Sequence, residues 1–374
     1  MSLVLEDVYR KVEGVDHLSD INLEFKPGSF NVLLGRTLAG KTSLMRVIAG
    51  LDKVTSGNIL MDNENVNQQS VQDRNISMVY QQFINYPNMT VFDNIASPLK
   101  IRGTPDALIK RRVQETAEML HIESFLQRHP LELSGGQQQR TAMARALVKD
   151  ASIILFDEPL VNLDYKLREE LRQELRELFK MRNSIAIYAT TEPNEALALG
   201  GNTSLLHQGK ILQSGPAIEQ YHNPVNLNAA DLYSEPPINL LKGSIKGAEL
   251  SIENYASFPV ANLFSDVPEG SYSFGIRPSH ISLVPKHQAD IELNVKVDVA
   301  EISASETFLH VANKDLQIVL QLSGVHDYRT NTSVNIYISP EKLFIFNEDG
   351  SIIRAPNARA AAGNQSSNIH TGVI

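Results

Sequence analysis

The sequence has 374 residues, of which 42% are hydrophobic and 21% charged, and its formal net charge is −9. These values are typical of a soluble globular protein with two or three domains. The acidic balance argues against bulk nucleic-acid binding, which depends on neutralising phosphates, so we expect no nucleic-acid partner. The absence of cysteine from the sequence excludes disulfides, thiolate metal sites and cysteine nucleophiles.

The apolar residues do not form an unbroken run of the ~18 or more that a membrane-spanning helix needs. The N-terminal segment MSLVLEDVYRKVEG has acidic residues where a secretion signal has basic and apolar regions. We therefore expect a protein that neither spans a membrane nor enters a secretion route by itself.

The first 235 residues alternate short β-rich runs with helical stretches, which predicts an α/β domain with a mostly parallel sheet. Two short apolar runs, at 30–34 and 152–156, are predicted to be buried central strands. Apolar residues occur at 167, 171, 175, 178 and 179, and most of the positions between them are Arg or Glu. This spacing predicts an amphipathic helix.

Beyond the proline pair at 236 and 237 the pattern changes to alternation of apolar and polar residues. It predicts a small all-β domain at 236–355, a partly open barrel of the oligonucleotide/oligosaccharide-binding (OB) type. The strands are predicted at 290–300, 317–322, 333–338 and 342–346. The segment 356–374 is small and polar, and we expect it to be a mobile tail.

The predicted strand at 30–34 leads into a segment of the pattern G-x4-G-K-[ST], followed by a helical sequence. Such glycines let the backbone wrap a polyphosphate, and the following helix directs its first amide groups at the anion. Lys41 would reach the β- and γ-phosphates, and Thr42 would offer its hydroxyl to Mg²⁺. The predicted nucleotide-phosphate site comprises Gly35, Arg36, Thr37, Leu38, Ala39, Gly40, Lys41, Thr42 and Ser43.

Two acidic residues, Asp157 and Glu158, follow the predicted strand at 152–156. Ligand sites of open α/β sheets form at the ends of such strands. Because Mg²⁺ needs hard oxygen ligands beyond the triphosphate, Asp157 is the predicted metal-side carboxylate. Glu158 is predicted to polarise, or accept a proton from, an attacking water.

The segment LSGGQQQR at 133–140 matches the signature of ATP-binding-cassette (ABC) ATPases and stands ahead of Asp157 at the family's usual interval. Gln81 resembles the glutamine of the family's Mg²⁺-sensing loop, and the Asn-Leu-Asp at 162–164 resembles its loop after the acidic pair. The chain therefore resembles an ABC ATPase subunit over its first 235 residues. The resemblance implies a P-loop, RecA-like fold with a helical subdomain at about 88–150, which binds ATP and Mg²⁺ and hydrolyses ATP.

The predicted β domain extends this resemblance. The segments GIRPSH at 275–280 and AEISASET at 300–307 look like the C-terminal TOBE/MOP-type domain of importer ATPases for maltose, glycerol phosphate and related solutes. The phosphate-loop residues Arg36, Thr37 and Leu38 look closest to subunits that serve glycerol or another polyol. The implied function is to energise import of a small carbohydrate or polyol from the cytoplasmic face of the inner membrane, as a peripheral subunit.

The resemblance also implies partners. Two ATPase subunits would face head to tail, so that each signature closes over the γ-phosphate of its partner's ATP. The residues implied in this contact are Ser134, Gly135, Gly136 and Gln137. Two membrane-spanning permease subunits would dock near the loop of Gln81, and an extracytoplasmic solute-binding protein would act through them. The docking residues are expected to include Phe83, Tyr86, Pro87 and Met89.

Two positions depart from the family pattern. Thr191 stands where the family carries a His that contacts the γ-phosphate, and a Thr hydroxyl is shorter and cannot carry positive charge. We therefore expect Thr191 to support hydrolysis more weakly. Val12 stands where an aromatic residue usually stacks on adenine, and Tyr9 is a nearby candidate to replace it.

These departures favour an unequal pair in which a different ATPase chain retains the His. One alternative is a homodimer whose site is fully active despite Thr191. A second is a soluble ABC protein of translation or DNA repair, although such proteins usually carry two cassettes or a long coiled-coil insertion. A third is a regulatory module in which the β domain is the working part and the cassette senses nucleotide.

Overall fold

The computed structural model of the protein describes residues 1–161, 165–180, 183–253, 255–260, 263–314 and 316–356, without the side chains at 167, 178 and 180. The loop at 162–164 and the tail at 357–374 lie outside the described residues. The chain divides into two compact units, the first ending at Ala217 and the second beginning at Ile218.

The first unit contains an α/β core and a helical region. Its strands are β1 (Leu3–Val12), β2 (Val15–Phe25), β3 (Phe30–Leu34), β4 (Ser56–Met61), β5 (Glu64–Asn65), β6 (Ile76–Val79), β7 (Ile153–Asp157), β8 (Ile185–Thr190), β9 (Asn202–His207) and β10 (Lys210–Pro216). Its helices are α1 (Lys41–Ala49), α2 (Val91–Ile101), α3 (Asp106–Met119), α4 (Gly135–Leu147), α5 (Tyr165–Lys180) and α6 (Pro193–Leu199).

The central sheet has the order β10-β9-β3-β8-β7-β6, in which β9, β3, β8, β7 and β6 run parallel and β10 is an antiparallel edge. Every residue of β7 and β8 is buried, as expected for strands covered on both faces. A second, antiparallel sheet has the order β2-β1-β4-β5. Because parallel strands end at a common edge, β3 and β7 bring the loop at 35–40 and Asp157 to one side of the sheet.

The predicted amphipathic helix is present as α5. Its apolar residues Leu171, Leu175 and Phe179 are buried, and the ring of Phe179 packs edge-on against Phe156 of β7. The predicted helical subdomain corresponds to α2, α3 and α4, which pack against one another. Their buried apolar residues include Ile95, Val113 and Met143.

The second unit is built mainly from β-strands. Its elements are α7 (Ala217–His222), α8 (Leu227–Leu232), β11 (Asn239–Lys246), β12 (Glu249–Ile252), β13 (Ala256–Pro259), β14 (Gly270–Ile276), β15 (Ile281–Ser282), β16 (Ile291–Ile302), β17 (Glu306–Asn313), β18 (Leu316–Ser323), β19 (Ser333–Ile338), β20 (Phe344–Phe346) and β21 (Ile352–Arg354). They form sheets of order β13-β12-β11-β14-β20-β21 and β15-β19-β16-β17-β18. The predicted fold class, an ABC-type α/β cassette followed by an all-β OB-like unit, is confirmed.

The predicted domain boundary at 235/236 stays a prediction, and the second compact unit, which begins at Ile218, includes short helices that pack with its β-sheets. Ala230 of α8 shares a core with Ile238, Phe344 and Phe346. The guanidinium of Arg277 lies 3.7 Å from the ring centroid of Tyr221 in α7. The short connecting helices therefore belong to the unit that follows them.

Candidate nucleotide-binding site

The phosphate loop connects β3 to α1, and its backbone geometry requires the glycines. A Cβ at Gly35 would lie 2.4 Å from the carbonyl oxygen of Leu206, closer than any real contact. Gly40 has φ +108°, which an L side chain rarely adopts. Helix α1 begins at the next residue, so its first amide groups face the concave side of the loop.

Lys41 lies within this loop and is only 4% exposed. Its ammonium Nζ donates to the carbonyl oxygens of Gly35, at 2.7 Å, and Arg36, at 3.1 Å. The same Nζ lies 3.1 Å from Glu158 Oε1. The loop thus holds a positive charge beside the carboxylate that was predicted to act on water.

The residues predicted to lie beside the metal, Thr42 and Asp157, meet at the start of α1 and the end of β7. Thr42 Oγ1 donates to Asp157 Oδ1 at 3.1 Å. Burial raises the pKa of Asp157, and the hydrogen bond from Thr42 opposes that rise. The described residues contain no group of three or more His, Asp or Glu able to enclose a metal. A hydroxyl and a carboxylate at one side of a phosphate loop fit Mg²⁺, which usually retains water and phosphate oxygens as ligands.

Glu158 follows β7 in a left-handed conformation, with φ +47°, and its amide donates to the carbonyl oxygen of Ala189 at 3.1 Å. Its second carboxylate oxygen, Oε2, accepts a hydrogen bond of 3.3 Å from Gln81 Nε2. Three predicted site residues, Lys41, Gln81 and Glu158, therefore converge through direct contacts. Their sequence positions are far apart, and the parallel sheet order brings them together.

A cavity of about 620 Å³ opens over the phosphate loop. The predicted residues that line it are Thr37, Leu38, Gly40, Lys41, Thr42, Ser43, Gln81 and Glu158. Five further lining residues were missed from the sequence: Val15, Asp16, His17, Gln208 and Gly209. They come from the start of β2 and the turn between β9 and β10, which carry no motif in the sequence. Tyr9 is not among the residues that line this cavity, so its predicted contact with adenine stays without support.

Thr191 follows β8 and is partly buried, but it is not among the residues that line the cavity. The loop around it is held by buried hydrogen bonds. Glu195, 4% exposed, accepts from Thr190 Oγ1 at 2.6 Å and from Tyr188 Oη at 3.2 Å. Burial raises the pKa of Glu195, and the Thr190 hydrogen bond opposes the rise. The hydrogen bonds of Glu195 hold in place the backbone segment that contains Thr191.

The signature segment begins α4. Ser134 and Gln137 form a capping box, since Ser134 Oγ accepts from the Gln137 amide and Gln137 Oε1 accepts from the Ser134 amide. A Cβ at Gly135 would meet no atom within 4 Å, so the start of the helix is open. Ser134, Gly136 and Gln137 line a separate cavity of about 530 Å³, together with His121, Phe125, Arg140, Glu170 and Glu174. None of the signature residues is among those that line the cavity at Lys41.

The fold and the site define a P-loop ATPase with a second, separate cavity at the start of α4. Residues 18–161 match the family model described as ABC transporter. The chain is similar to a dimeric bacterial ABC transporter cassette of known structure, with a TM-score of 0.53 and 30% identity, over 57% of this chain and 98% of that chain. A similar cassette dimer was solved in a post-hydrolysis state bound to ADP and Pi, with the same TM-score of 0.53.

Curated relatives match nearly the whole chain. It is 35% identical over 356 residues to the sn-glycerol-3-phosphate import ATP-binding protein UgpC of Brucella abortus biovar 1 (strain 9-941), over 94% of this chain and 99% of the relative. It is 36% identical over 347 residues to the protein of that name from Salmonella typhimurium (strain LT2), over 92% and 97%. The chain belongs to the ABC transporter family, among its ATP-binding import subunits, and is an ATPase of that family. The resemblance inferred from the motifs is confirmed.

Proposed function

We propose that this chain binds and hydrolyses ATP at the Lys41 cavity to energise import of a small carbohydrate or polyol. Glycerol 3-phosphate, the solute in the names of its relatives, is the first candidate. The observation that carries the proposal is the convergence of Lys41, Gln81, Glu158 and the Thr42–Asp157 pair at one edge of the sheet. This arrangement supplies a cation, a water-orienting carboxylate and hard oxygen ligands in one place.

In this proposal the β- and γ-phosphates occupy the phosphate loop and attract the ammonium of Lys41. Glu158 then exchanges its ion pair with Lys41 for contact with the attacking water, which Gln81 helps to orient. Thr42 and Asp157 would hold Mg²⁺, with Gln81 beside them, and the bound ion would neutralise phosphate charge. The residues themselves position the triphosphate and the water, which is most of what phosphoryl transfer requires of a protein.

The signature requires a second ATPase subunit. The open helix start at Ser134, Gly135 and Gly136 offers amide groups and a hydroxyl to an anion, yet it lines a cavity different from that of Lys41. We propose that it closes over the γ-phosphate held by a facing subunit, with Gln137 beside it. Two ATP molecules would then join the pair, and hydrolysis would release it.

We further propose that the facing subunit is a different chain that retains the His. The support is that the signature is intact, whereas Thr191 is partly buried and is not among the residues lining the cavity at Lys41. The alternative homodimer, fully active despite Thr191, predicts strong turnover by the purified chain alone. Thr191→His should raise that turnover at least severalfold under the unequal-pair proposal and change it little under the alternative.

Permease docking is proposed at the cavity of about 490 Å³ lined by Tyr86, Met89, Asp93, Ser97, Lys100 and Ile101. Of these, Tyr86 and Met89 were expected from the sequence, and both are exposed. An exposed apolar cavity with a polar rim suits an amphipathic helix of a membrane subunit. No helix among the described residues is long and apolar enough to span a membrane. We therefore place the chain peripherally, on the cytoplasmic face, with a solute-binding protein acting through the permease.

The test is to purify the assembled importer and measure ATP turnover in the presence of each candidate polyol, sugar or glycerol phosphate. The proposal expects one of these solutes to stimulate turnover, and Glu158→Gln to abolish the stimulation. Turnover unaffected by every such solute would contradict the proposed solute class. Turnover that survives Glu158→Gln would contradict the assignment of the catalytic site.

A further inference from the structure

The end of β8 supports both halves of the candidate nucleotide-binding site. The carbonyl oxygen of Thr190 accepts a hydrogen bond of 3.3 Å from the amide of Gly35, the first residue of the phosphate loop. The carbonyl oxygen of Ala189, one residue earlier, accepts a hydrogen bond of 3.1 Å from the amide of Glu158. Because β8 lies between β3 and β7 in the sheet, a displacement of its end would move the loop and the carboxylate relative to each other.

The ion pair of Lys41 with Glu158 depends on these two backbone hydrogen bonds. Lys41 Nζ donates to the carbonyl oxygen of Gly35 at 2.7 Å and lies 3.1 Å from Glu158 Oε1. The groups that take part in a reaction must be held within about 0.5 Å of the productive geometry by the residues around them. The backbone at the end of β8 therefore helps to set the distance between the bound phosphates and Glu158.

A buried carboxylate holds the end of β8 in place. Glu195, in the first turn of α6, is 4% exposed, and its Oε2 accepts hydrogen bonds from two side chains of β8. These are Thr190 Oγ1, at 2.6 Å, and Tyr188 Oη, at 3.2 Å. Thr190 Oγ1 also accepts from the amide of Glu192 at 3.0 Å. Because the Thr190 hydroxyl both donates and accepts, its side chain is fixed in one orientation.

Folding alone does not require this network. Replacing both partners of a buried hydrogen bond by apolar groups of similar shape is often neutral for stability. The polar pair differs from an apolar pair because a hydrogen bond fixes an angle as well as a distance. The network lies at the residue whose carbonyl oxygen binds Gly35, so this added precision is available to the phosphate loop and to Glu158.

We propose that Glu195 is a positioning residue for ATP hydrolysis. Through Thr190 it holds the end of β8, and through the carbonyl oxygens there it sets the separation of the phosphate loop and Glu158. Glu195 is not among the residues that line the cavity at Lys41, so it acts on the rate of hydrolysis rather than on the nucleotide directly. The inference rests on the proposed function, in which Glu158 acts on the attacking water.

Two pairs of substitutions in the assembled importer test this role. Thr190→Val and Glu195→Leu remove the hydrogen bond, whereas Thr190→Ser keeps the hydroxyl and Glu195→Gln keeps an oxygen to accept from it. The turnover lost in Glu158→Gln defines the share that belongs to this chain's site. Thr190→Val and Glu195→Leu should each lower that share about tenfold with less than a threefold change in KM for ATP. Thr190→Ser and Glu195→Gln should retain at least about a third of it.

The combined variant and a matched control separate positioning from a general loss of stability. Thr190→Val with Glu195→Leu should be no slower than the slower single variant, because both changes break the same link. Thr116→Val is the control, since this buried hydroxyl donates only within α3, to the carbonyl oxygen of Arg112 at 2.7 Å. It should leave turnover unchanged. An equal loss in Thr116→Val, or losses that multiply in the combined variant, would overturn the proposal.

The remaining outcomes distinguish this inference from the function on which it rests. If Glu158→Gln leaves turnover unchanged, the catalytic site of the proposed function is wrong. If Glu158→Gln lowers turnover while Thr190→Val and Glu195→Leu retain more than half of the share, the inference alone is overturned. A raised KM with unchanged turnover would overturn it too. If Glu195→Leu does not assemble, the comparison of Thr190→Val with Thr190→Ser decides.

Discussion

Lys41 Nζ lies 3.1 Å from Glu158 Oε1, so the cation of the phosphate loop and the carboxylate after β7 form an ion pair. Their side chains are 4% and 16% exposed, respectively, which limits screening by water. Each is the other's nearest compensating charge at the place where a triphosphate would bind. ATP binding and the release of Glu158 from Lys41 are therefore expected to occur together, as the phosphates replace Glu158 as the partner of Lys41.

Glu158→Gln should lower ATP turnover at least 100-fold while ATP affinity stays the same or increases. The reason is that glutamine cannot accept a proton from water, and it no longer competes with phosphate for Lys41. Steady-state turnover and equilibrium binding of ATP check the two parts separately. Glu115→Gln on the exposed face of α3 is the control and should change neither. Retention of more than half of the turnover by Glu158→Gln would contradict the role of this carboxylate.

Asp157→Asn should stabilise the chain without nucleotide or metal at neutral pH. Burial raises the pKa of Asp157 above its unfolded value, so ionisation in the folded state opposes folding. Below the pKa of Asp157 in the unfolded chain, both states are protonated and the residue does not lower stability. The loss grows as pH rises from that value to the raised pKa of the folded state, and it is constant at higher pH. Asparagine keeps an oxygen to accept from Thr42 and removes the charge.

Denaturant unfolding of parent and Asp157→Asn proteins as a function of pH measures this effect. The difference in stability should grow from acid to neutral pH. An equal difference at all pH values would show that charge is not its cause. Mg²⁺-dependent ATP turnover should be lost in the same variant, because the metal-side carboxylate is gone.

His17→Ala should weaken ATP binding about tenfold, whereas Tyr9→Leu should change it less than twofold. His17 lines the cavity, and Tyr9 is not among the lining residues. An aromatic ring stacked on a base contributes about 1–3 kcal/mol in nucleic-acid sites. Titration with a fluorescent ATP analogue measures both affinities. The opposite order would restore Tyr9 as the adenine-contacting residue.

His280→Gln should reduce the acid sensitivity of the second unit. Burial, with Arg277 nearby, lowers the pKa of His280 to about 4. The pKa of His280 is lower in the folded protein than in the unfolded chain, so the fold favours the neutral imidazole. Its contribution to stability is complete above about pH 6.5 and is lost as pH falls toward 4. The parent should therefore lose on the order of 2 kcal/mol more than the variant over that range. Chemical unfolding of both proteins measures the free energy of unfolding as a function of pH. Two parallel curves would contradict the role of His280.

The local elements could be predicted because their determinants are local. The glycine spacing and the apolar run at 30–34 define β3 and the phosphate loop, and strict alternation defines β16 and β19 almost to the residue. The last predicted strand, 342–346, was partly wrong, since Pro340 begins a short 3-10 helix and β20 starts at Phe344. Proline fixes the backbone there, against extended pairing.

The contacts between distant segments could not be predicted in this way. The approach of His17 to the phosphate loop depends on β2 packing near the turn after β9, and neither segment carries a motif. The buried carboxylate of Glu195 behind Thr190 looks like an ordinary helix residue in the sequence. Both contacts are determined by the order of strands in the sheet and by burial. Neither contact produces a periodic pattern of residues that could be recognised in a single sequence.

The central claim is that ATP lies between Lys41's loop in one subunit and Ser134 of another. This chain contains no cysteine, so a thiol introduced into it is crosslinked without background from this chain, and any native cysteines of a different facing chain would be replaced first. Subunits carrying Glu158→Gln with Thr37→Cys and Ser134→Cys on facing chains should be joined with ATP by a bifunctional thiol reagent whose spacer matches the width of a phosphate group, and a denaturing gel would show the intersubunit crosslink. Either substitution alone, or omission of ATP, should give none. Failure to form it while ATP is bound would contradict the account.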